Sequence, residues 1–388
     1  MLITDQKQFK AFVNRAKNSS LLCIDTEFLR EKTYWAQLCL LQISTDQEAV
    51  AIDPFAVKDL RPLVPLLEDP GIVKVFHAAH QDLEIIHHEL GVIPRPIFDT
   101  QVAAALLCDN IQIGYGPLVS MECGVHLKKA DSYTDWSRRP LTDSQIQYAL
   151  DDVIYLPDLY KSMTKKLADM GRLDWLTPDF QDMVDPEHFD PDPDERFLKL
   201  KRVNQLHGAQ IAIAQKVCAW RERQAMRRNV PRKWIITDEQ VLEICKREPK
   251  TLDDLFIVRN VKRTLSMADS RAVLALCLAA LESDPSTWPT VQIKSKPEAN
   301  VDAQVDLMSA LVRQRARESG LAFGVLASHD DLVSIARGKG NQTQLMRGWR
   351  KEIVGEELQA LCNGEIGLCV NNGAVTVTPV LWHARTSK

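Results

Sequence analysis

Residues 21–30, LLCIDTEFLR, decide how the first part of this chain folds. The apolar run Leu21–Ile24 is short and bounded, as in a buried β-strand. Residues i and i+2 of a strand point to one face, so Asp25 and Glu27 would present two carboxylates side by side. Like charges this close repel unless a divalent cation neutralises them. The stretch therefore predicts a strand that presents a metal-binding pair.

Two further segments carry side chains that suit the same kind of site. Asp82 lies in HAAHQDLEII (77–86), and Tyr148 and Asp152 lie in QYALDDVIYL (147–156). We interpret the second segment as helical, so its tyrosine and aspartate, four residues apart, share one helix face. Hard cations such as Mg²⁺ prefer oxygen ligands of this kind. Taken singly, each residue also fits an ordinary helix cap or a core position.

Composition limits the class of protein. The chain has 388 residues, 45% of them hydrophobic, which is enough for two or three globular domains. No apolar stretch approaches the roughly 20 residues of a membrane helix, and the N-terminus lacks an apolar signal core. We therefore expect a cytoplasmic protein that does not enter a membrane. The nine cysteines form no Cys-x-x-Cys pair, which favours free thiols over disulfides or zinc.

Charge is distributed unevenly along the chain. Residues 1–190 hold 18 basic and 29 acidic side chains, a net charge of −11, whereas residues 191–388 carry a net charge of +7. An acidic half fits metal-dependent chemistry, and a basic half fits the binding of a polyanion. Solvated charged faces without a function would give the same asymmetry, so charge alone does not decide between these readings.

The pattern predicts three folded units, two linkers and a tail. The boundaries are 1–176, 177–196, 197–282, 283–300, 301–362 and 363–388. The first unit is typical of a mixed α/β fold, with one mixed sheet and flanking helices. The second segment is rich in Pro and Asp and predicts an irregular linker. Two all-α bundles follow, separated by another Pro-bearing linker, and the tail contains a β-hairpin around Asn371-Asn372-Gly373.

The motifs of the first unit resemble a known superfamily. The first 175 residues are similar to the DEDD superfamily of 3′→5′ exonucleases, whose fold is ribonuclease H-like. The motif YALDD (148–152), with a tyrosine four residues before the last aspartate, resembles the tyrosine-bearing branch. The stretches DTEFLREKTYWAQLCLLQIS (25–44) and FHAAHQDLEII (76–86) resemble the ribonuclease D family more closely.

The helical units carry a second resemblance. WRERQAMRRNVPRKWIITDEQVLEI (220–244) resembles the HRDC module, which is found at the C-terminus of ribonuclease D and of RecQ-type helicases. Residues 301–362 resemble a second, degenerate copy. The chain contains no G-x-x-x-x-G-K-[ST] phosphate loop, so it is not itself a helicase or ATPase.

The resemblance implies a set of catalytic residues. The metal ligands that it implies are Asp25, Glu27, Asp82 and Asp152. They would bind two divalent cations, Mg²⁺ or Mn²⁺, and Tyr148 would position the attacking water. An ordinary tyrosine pKa near 10 suits an orienting role better than that of a proton acceptor. Motif spacing selects Asp152 over its neighbour Asp151, which remains an alternative because it lies three residues from Tyr148.

Further residues are candidates for contact with RNA. Phe28 would stack on a terminal base or belong to the core, and His77 would line the cleft or be satisfied in the core. Arg138 and Arg139 precede the helix of the third motif, where they would contact phosphates or hold a loop. Basic residues cluster near Trp220 and Trp234 in the HRDC-like unit, as a phosphate-binding surface or a solvated helix face. They are Arg221, Arg227, Arg228, Arg232 and Lys233.

The sequence therefore predicts a metal-dependent, monomeric 3′→5′ exoribonuclease. It would trim the 3′ ends of structured RNAs such as tRNA precursors and release nucleoside 5′-monophosphates by a two-metal mechanism. The choice of RNA comes from the resemblance alone. Two alternatives stay open: a DNA-directed exonuclease of the same superfamily, and a nucleic-acid-binding scaffold with a weak active site.

Overall fold

A mixed β-sheet forms the centre of the N-terminal domain. The computed structural model describes residues 1–127, 134–190, 192–291 and 299–380. Within these ranges the sheet has six strands in the order β1-β4-β3-β2-β5-β6, and β3 runs antiparallel to its neighbours β2 and β4. The strands are β1 (Leu2–Ile3), β2 (Leu21–Leu29), β3 (Gln37–Ser44), β4 (Ala49–Ile52), β5 (Val73–Phe76) and β6 (Ile97–Asp99).

Helices cover both faces of this sheet. They are α1 (Gln6–Ala16), α2 (Val64–Glu68), α3 (His80–Leu90), α4 (Thr100–Ala105), α5 (Tyr115–Cys123), α6 (Asp143–Ile154) and α7 (Leu156–Asp169). The alternation along β2 divides the core: Leu22 and Ile24 share a buried cluster with α1 and α3. Leu21 and Cys23 point the other way, into the cluster of α4, α5 and α7. Asp25 continues the face of these two residues.

The sequence pattern and the structure differ at several element boundaries. The pattern predicts strands over 21–25 and 72–77, but β2 runs to Leu29 and β5 is shorter than predicted. Strands β1 and β6 and helix α5 were not predicted, since each is short or lacks clear periodicity. The helix predicted over 144–168 is two helices, α6 and α7, which meet at Tyr155. Pro157 falls in the first turn of α7, where proline is favoured.

The segment 177–196 is not the irregular linker that its composition predicts. It contains helix α8 (Thr177–Met183), and Val184 and Phe189 are buried against the cluster that holds α1 and α3. These few apolar side chains suffice to pack the segment onto the domain, although they show no periodicity. Pro191 lies outside the described residues.

The first all-α unit follows. Its helices are α9 (Ala209–Arg228), α10 (Arg232–Ile235), α11 (Asp238–Arg247), α12 (Leu252–Ile257), α13 (Val261–Thr264) and α14 (Met267–Leu281). The pattern predicts one helix over 197–227. In the structure 3₁₀ turns precede α9, which begins only after Gly208, whose φ of +55° glycine adopts readily.

A second helical unit packs against the N-terminal domain. It contains α15 (Asp302–Ser319), α16 (Phe323–Leu326), α17 (His329–Ala336), α18 (Gly348–Arg350) and α19 (Glu356–Cys362). Trp349 of this unit stacks on Trp175, with ring centroids 4.5 Å apart. The preceding predicted linker includes residues 292–298, which lie outside the described residues, as do residues 381–388 of the tail.

The predicted C-terminal hairpin is present. Strands β7 (Ile366–Asn371) and β8 (Ala374–Pro379) pair in antiparallel fashion. Asn372 and Gly373 connect them, and both have positive φ, as the tight hairpin turn requires.

The expectations about cysteines and membranes can also be compared with the structure. The nine cysteines are free thiols, and two of them, Cys362 and Cys369, are exposed to solvent. In the part of the chain that the structure describes, no helix combines the length and the apolar character needed to span a bilayer.

Candidate active site

Three carboxylates from distant parts of the chain converge at the centre of the sheet. Asp25 and Glu27 come from β2, and Asp152 comes from α6. One oxygen of each lies within 4.8 Å of the others, and all three side chains are partly buried. This spacing is close enough for one cation to bind all three groups. The convergence follows from the packing of α6 across β2, β3 and β4.

Asp82 is buried beside this cluster but is not part of it. It lies in the first turn of α3, with 6% of its surface exposed, and its Oδ1 accepts a hydrogen bond from the Thr26 hydroxyl. Thr26 lies between the two acidic residues of β2, so this strand carries two of the three clustered carboxylates as well as the partner of Asp82. The negative charge of Asp82 is among the causes that raise the pKa of Asp25, so the two groups interact electrostatically.

The pKa of each of the four acidic groups is raised. Burial, and then the charges of its acidic neighbours, raise the pKa of Asp25 well above its usual range. Burial, with the charges of Asp152 and Asp82, raises the pKa of Glu27 to about 8. Burial also raises the pKa of Asp82 and that of Asp152 to about 7. Carboxyl groups packed so closely favour either protons or a bound cation, and an all-carboxylate donor set suits Mg²⁺ or Mn²⁺.

The geometry distinguishes the two neighbouring aspartates of the third motif. Asp152 belongs to the carboxylate cluster, whereas Oδ1 of Asp151 accepts a hydrogen bond from Gln147 Nε2 at 2.7 Å. Tyr148 lies on α6 one turn before Asp152, and its ring centroid is 6.1 Å from that of Trp136. Trp136 is 4% exposed, and its buried ring packs beside the tyrosine ring.

A cleft opens next to the cluster. It has a volume of about 680 Å³ and reaches from Glu27 and Phe28 to the loop that carries Trp136. Phe28 is partly buried, so it both packs on the core and lines the cleft. Lys32 also lines the cleft and is exposed. The cleft offers a polar, partly aromatic channel that leads to the carboxylates.

Two residues of the site environment have no signal in the sequence pattern. Tyr115 donates a hydrogen bond from its hydroxyl to the backbone oxygen of Asp151 at 3.0 Å, which helps to hold α6. Its ring packs edge-on against His77, with centroids 5.5 Å apart. Thr26, the partner of Asp82, was also missed. The pairing of Tyr115 with α6 spans 36 residues, so no local spacing could indicate it.

His77 directly follows β5, which ends at Phe76. Its Nδ1 lies 2.9 Å from the Thr100 hydroxyl, while Nε2 is buried and has no hydrogen-bond partner among the described residues. Burial lowers the pKa of this histidine, so the neutral ring is favoured.

Of the two roles predicted for Arg138 and Arg139, phosphate contact or support of a loop, the structure favours support of the loop for Arg139. Arg139 makes a two-pronged ion pair with Asp53, through Nε at 2.6 Å and Nη2 at 2.9 Å. Its remaining N–H groups bind backbone oxygens of residues that include Cys39 and Trp136. Arg139 therefore holds the loop and has no donor left for phosphate. The side chain of Arg138 is 84% exposed and pairs with the exposed Asp135.

The basic cluster of the first all-α unit also divides into two kinds. The side chain of Arg221 is 8% exposed and pairs with Asp238, so it is structural and not a surface contact for RNA. Arg228 pairs with Asp269. Nε of Arg232 lies 3.4 Å from Oε2 of the buried Glu222. Arg228 and Arg232 remain exposed despite these contacts, as do Arg227, Lys233 and Trp234, which is 51% exposed. These exposed residues form the part of the cluster that can meet a ligand.

Comparison with known proteins agrees with the fold and the motifs. A family model described as 3′-5′ exonuclease matches residues 1–168, and one described as HRDC domain matches residues 210–274. Ribonuclease D of Sphingobium indicum is 38% identical over 384 residues, covering 97% of this chain and 98% of that protein. The chain belongs to the ribonuclease D family. Ribonuclease D of Bartonella henselae is 36% identical over 96% of this chain and 93% of its own length.

A solved structure shows the same relationship. The crystal structure of Escherichia coli RNase D, described as an exoribonuclease involved in structured RNA processing, matches with a TM-score of 0.80 and 26% identity. It covers 94% of this chain and 98% of that one. As a ribonuclease D the chain is a 3′→5′ exoribonuclease, and its exonuclease and HRDC domains are those that the motifs predict.

Proposed function

We propose that this ribonuclease D trims the 3′ ends of structured RNAs, such as tRNA precursors, one nucleotide at a time. The products would be nucleoside 5′-monophosphates. The convergence of Asp25, Glu27 and Asp152 at one end of an open cleft supports this proposal most strongly. The description of the E. coli enzyme as acting in structured RNA processing favours the same class of substrate.

The acidic residues would hold two divalent cations, Mg²⁺ or Mn²⁺. Bound there, the cations would stabilise charge on the attacking and leaving oxygens of the phosphodiester and favour ionisation of the attacking water. Asp25, Glu27 and Asp152 provide the shared ligand set, and Asp82, fixed by Thr26, provides a further carboxylate close behind it. The Tyr148 hydroxyl would orient the attacking water, and the ring that carries it lies beside that of Trp136.

The 3′-terminal nucleotides would enter the cleft. Phe28 lines the cleft and offers a ring on which a base can stack. His77 would contribute its buried Nε2, which has no hydrogen-bond partner within the described part of the chain. Lys32 and Arg138, both exposed, would meet phosphates further along the strand. In the HRDC domain, Lys233 and its exposed neighbours would contact the body of the RNA.

The second helical unit would be a degenerate copy of the HRDC domain. In both units a long helix ends at a residue with positive φ, Asn229 after α9 and Gly320 after α15. A four-residue helix follows in each, α10 and α16, and then a helix that starts with a capping box, α11 and α17. The same order and spacing of elements support a common origin. Two such modules beside one nuclease would raise the local concentration of RNA ends.

A substrate comparison tests the proposed function. A 5′-labelled RNA hairpin with a single-stranded 3′ tail would be incubated with the full chain and Mg²⁺, beside a DNA of the same sequence. We expect stepwise shortening of the RNA from its 3′ end, with a pause at the stem, and slower loss of DNA. Equal rates on both would favour a DNA-directed enzyme, and binding without shortening would favour the scaffold.

A further inference from the structure

Gln42 has a fully buried side-chain amide. It lies in the middle of β3, and 0% of its surface is exposed. Neither Oε1 nor Nε2 makes a hydrogen bond within the part of the chain that the structure describes. Burial of an amide without partners is unfavourable, so such a group in a folded protein requires an explanation.

The register of the sheet places this amide beside the carboxylate cluster. Gln42 is directly opposite Asp25 in the antiparallel pair of β3 and β2. Opposite residues in such a pair share a face, with Cβ atoms about 4.5–5.5 Å apart, which lies within reach of a glutamine side chain. Two residues along the same face, the Ser44 hydroxyl donates to the Val153 backbone oxygen of α6 at 2.6 Å. Gln42 therefore lies beside Asp25, on the face of the sheet that α6 covers.

We propose that Gln42 is a positioning residue for Asp25, with Nε2 donating a hydrogen bond to its carboxylate when the site holds its cations. This inference rests on the proposed metal site. Asp25 is surrounded by acidic groups, so a donor is needed to fix its orientation. An arginine or lysine in place of Gln42 would compete with a cation for the carboxylates, whereas a neutral amide adds no charge. The other neighbour of Gln42 in the sheet, Ala51 of β4, offers no polar atom from its side chain.

Manganese binding tests this role without reference to catalysis. Gln42→Met keeps the length of the side chain and removes its strong donor and acceptor. In isothermal titration calorimetry with the full chain, we expect Mn²⁺ to bind about tenfold more weakly to this variant than to the wild type. The thermal unfolding midpoint of the metal-free variant should rise, because an unpartnered buried amide has been removed. Gln42→Leu provides a second apolar variant.

Ser44→Ala is the matched control on the same face of β3. It removes the hydrogen bond to Val153, so the unfolding midpoint should fall while Mn²⁺ affinity stays unchanged. Wild-type affinity in both Gln42 variants would overturn the role of Gln42 and leave the metal site intact, whatever their unfolding midpoints, since the amide would then serve only the fold. Failure of the wild type to bind Mn²⁺ would instead overturn the metal site itself, and with it this inference.

Discussion

The side-chain oxygen of Asn229 accepts hydrogen bonds from the backbone amides of both Tyr34 and Trp35, each at 3.1 Å. Asn229 belongs to the HRDC domain, directly after α9, and the two amides belong to the loop that follows the acidic strand of the nuclease domain. The Tyr34 hydroxyl also donates to the buried Glu222 of α9. The loop that forms one side of the catalytic cleft is thus fixed by the HRDC domain.

The first prediction concerns this contact. Asn229 has a φ of +47°, so Asn229→Gly removes the side chain without backbone strain. Loss of two hydrogen bonds should reduce the free energy of unfolding by about 1–2 kcal/mol. Because the loop would be less well positioned, kcat/KM on a tailed RNA hairpin should fall roughly tenfold.

Asn260→Gly is the control for this variant. Asn260 also has positive φ and lies in the same domain, before α13, and within the described residues its side chain makes no hydrogen bond to the loop. Its activity should match that of the wild type. If Asn229→Gly retains full activity while its stability falls, the HRDC contact supports the fold and not the cleft.

The second prediction separates the adjacent aspartates of α6. Asp152→Asn removes a member of the carboxylate cluster, so hydrolysis should fall below detection. The same change removes like-charge repulsion, so the metal-free variant should be more stable than the wild type by about 1–3 kcal/mol at pH 8. Asp151→Asn should keep most of the activity, since Asp151 is bonded to Gln147. Urea unfolding and nucleotide release would measure both effects, and inactivity of Asp151→Asn would contradict the assignment.

The third prediction is a pH dependence of stability. The pKa is raised to about 8 for Glu27 and to about 7 for Asp82 and Asp152, from the ordinary values of 4.5 for Glu and 3.8 for Asp. Folded metal-free protein therefore binds more protons than the unfolded chain between about pH 4 and pH 8. The stability that these groups contribute is present below pH 4 and is lost as the pH rises through 7 to 8.

Thermal unfolding in EDTA from pH 6 to pH 9 checks this sign. The midpoint of the wild type should fall across this range, and that of Asp152→Asn should fall less steeply. Added Mg²⁺ or Mn²⁺ should flatten the wild-type curve, because the cation replaces the protons. A midpoint that rises toward pH 9 in EDTA would show that these carboxyl groups do not have raised pKa values.

The fourth prediction compares two adjacent arginines. Burial would raise the pKa of Asp53, but hydrogen bonds from Arg139 and the backbone hold it below the usual value. Arg139→Ala leaves this buried carboxylate unpaired and should destabilise the fold by about 2–4 kcal/mol. Arg138→Ala should leave the unfolding midpoint unchanged and weaken RNA binding, with a shallower dependence on salt. Equal destabilisation by both variants would contradict this division.

Local periodicity was sufficient to predict which site residues share a face of the same strand or helix. The period of two in β2 placed Asp25 and Glu27 on one face, and the helical period of α6 placed Tyr148 with Asp152. The association of these segments with each other and with Asp82 came from the resemblance to the family. No spacing within one element contains that information.

Contacts that depend on tertiary packing were not predictable. Arg138 and Arg139 are neighbours of the same type, and only the position of Asp53, 86 residues away, distinguishes them. Gln42 reads as an ordinary residue of a strand until the register places it opposite Asp25. The segment after residue 176 was interpreted as a linker because its four apolar side chains show no period, although they are enough to pack it onto the domain.

Release of nucleoside 5′-monophosphate from the 3′ end of a labelled tRNA precursor, with and without EDTA, tests the central claim most directly. The wild type should release nucleotides with Mg²⁺, stop in EDTA and resume when Mg²⁺ is restored. Asp25→Asn should release none under any of these conditions while keeping its fold by circular dichroism. Release that continues in EDTA, or that survives in Asp25→Asn, would contradict a metal site built on these carboxylates.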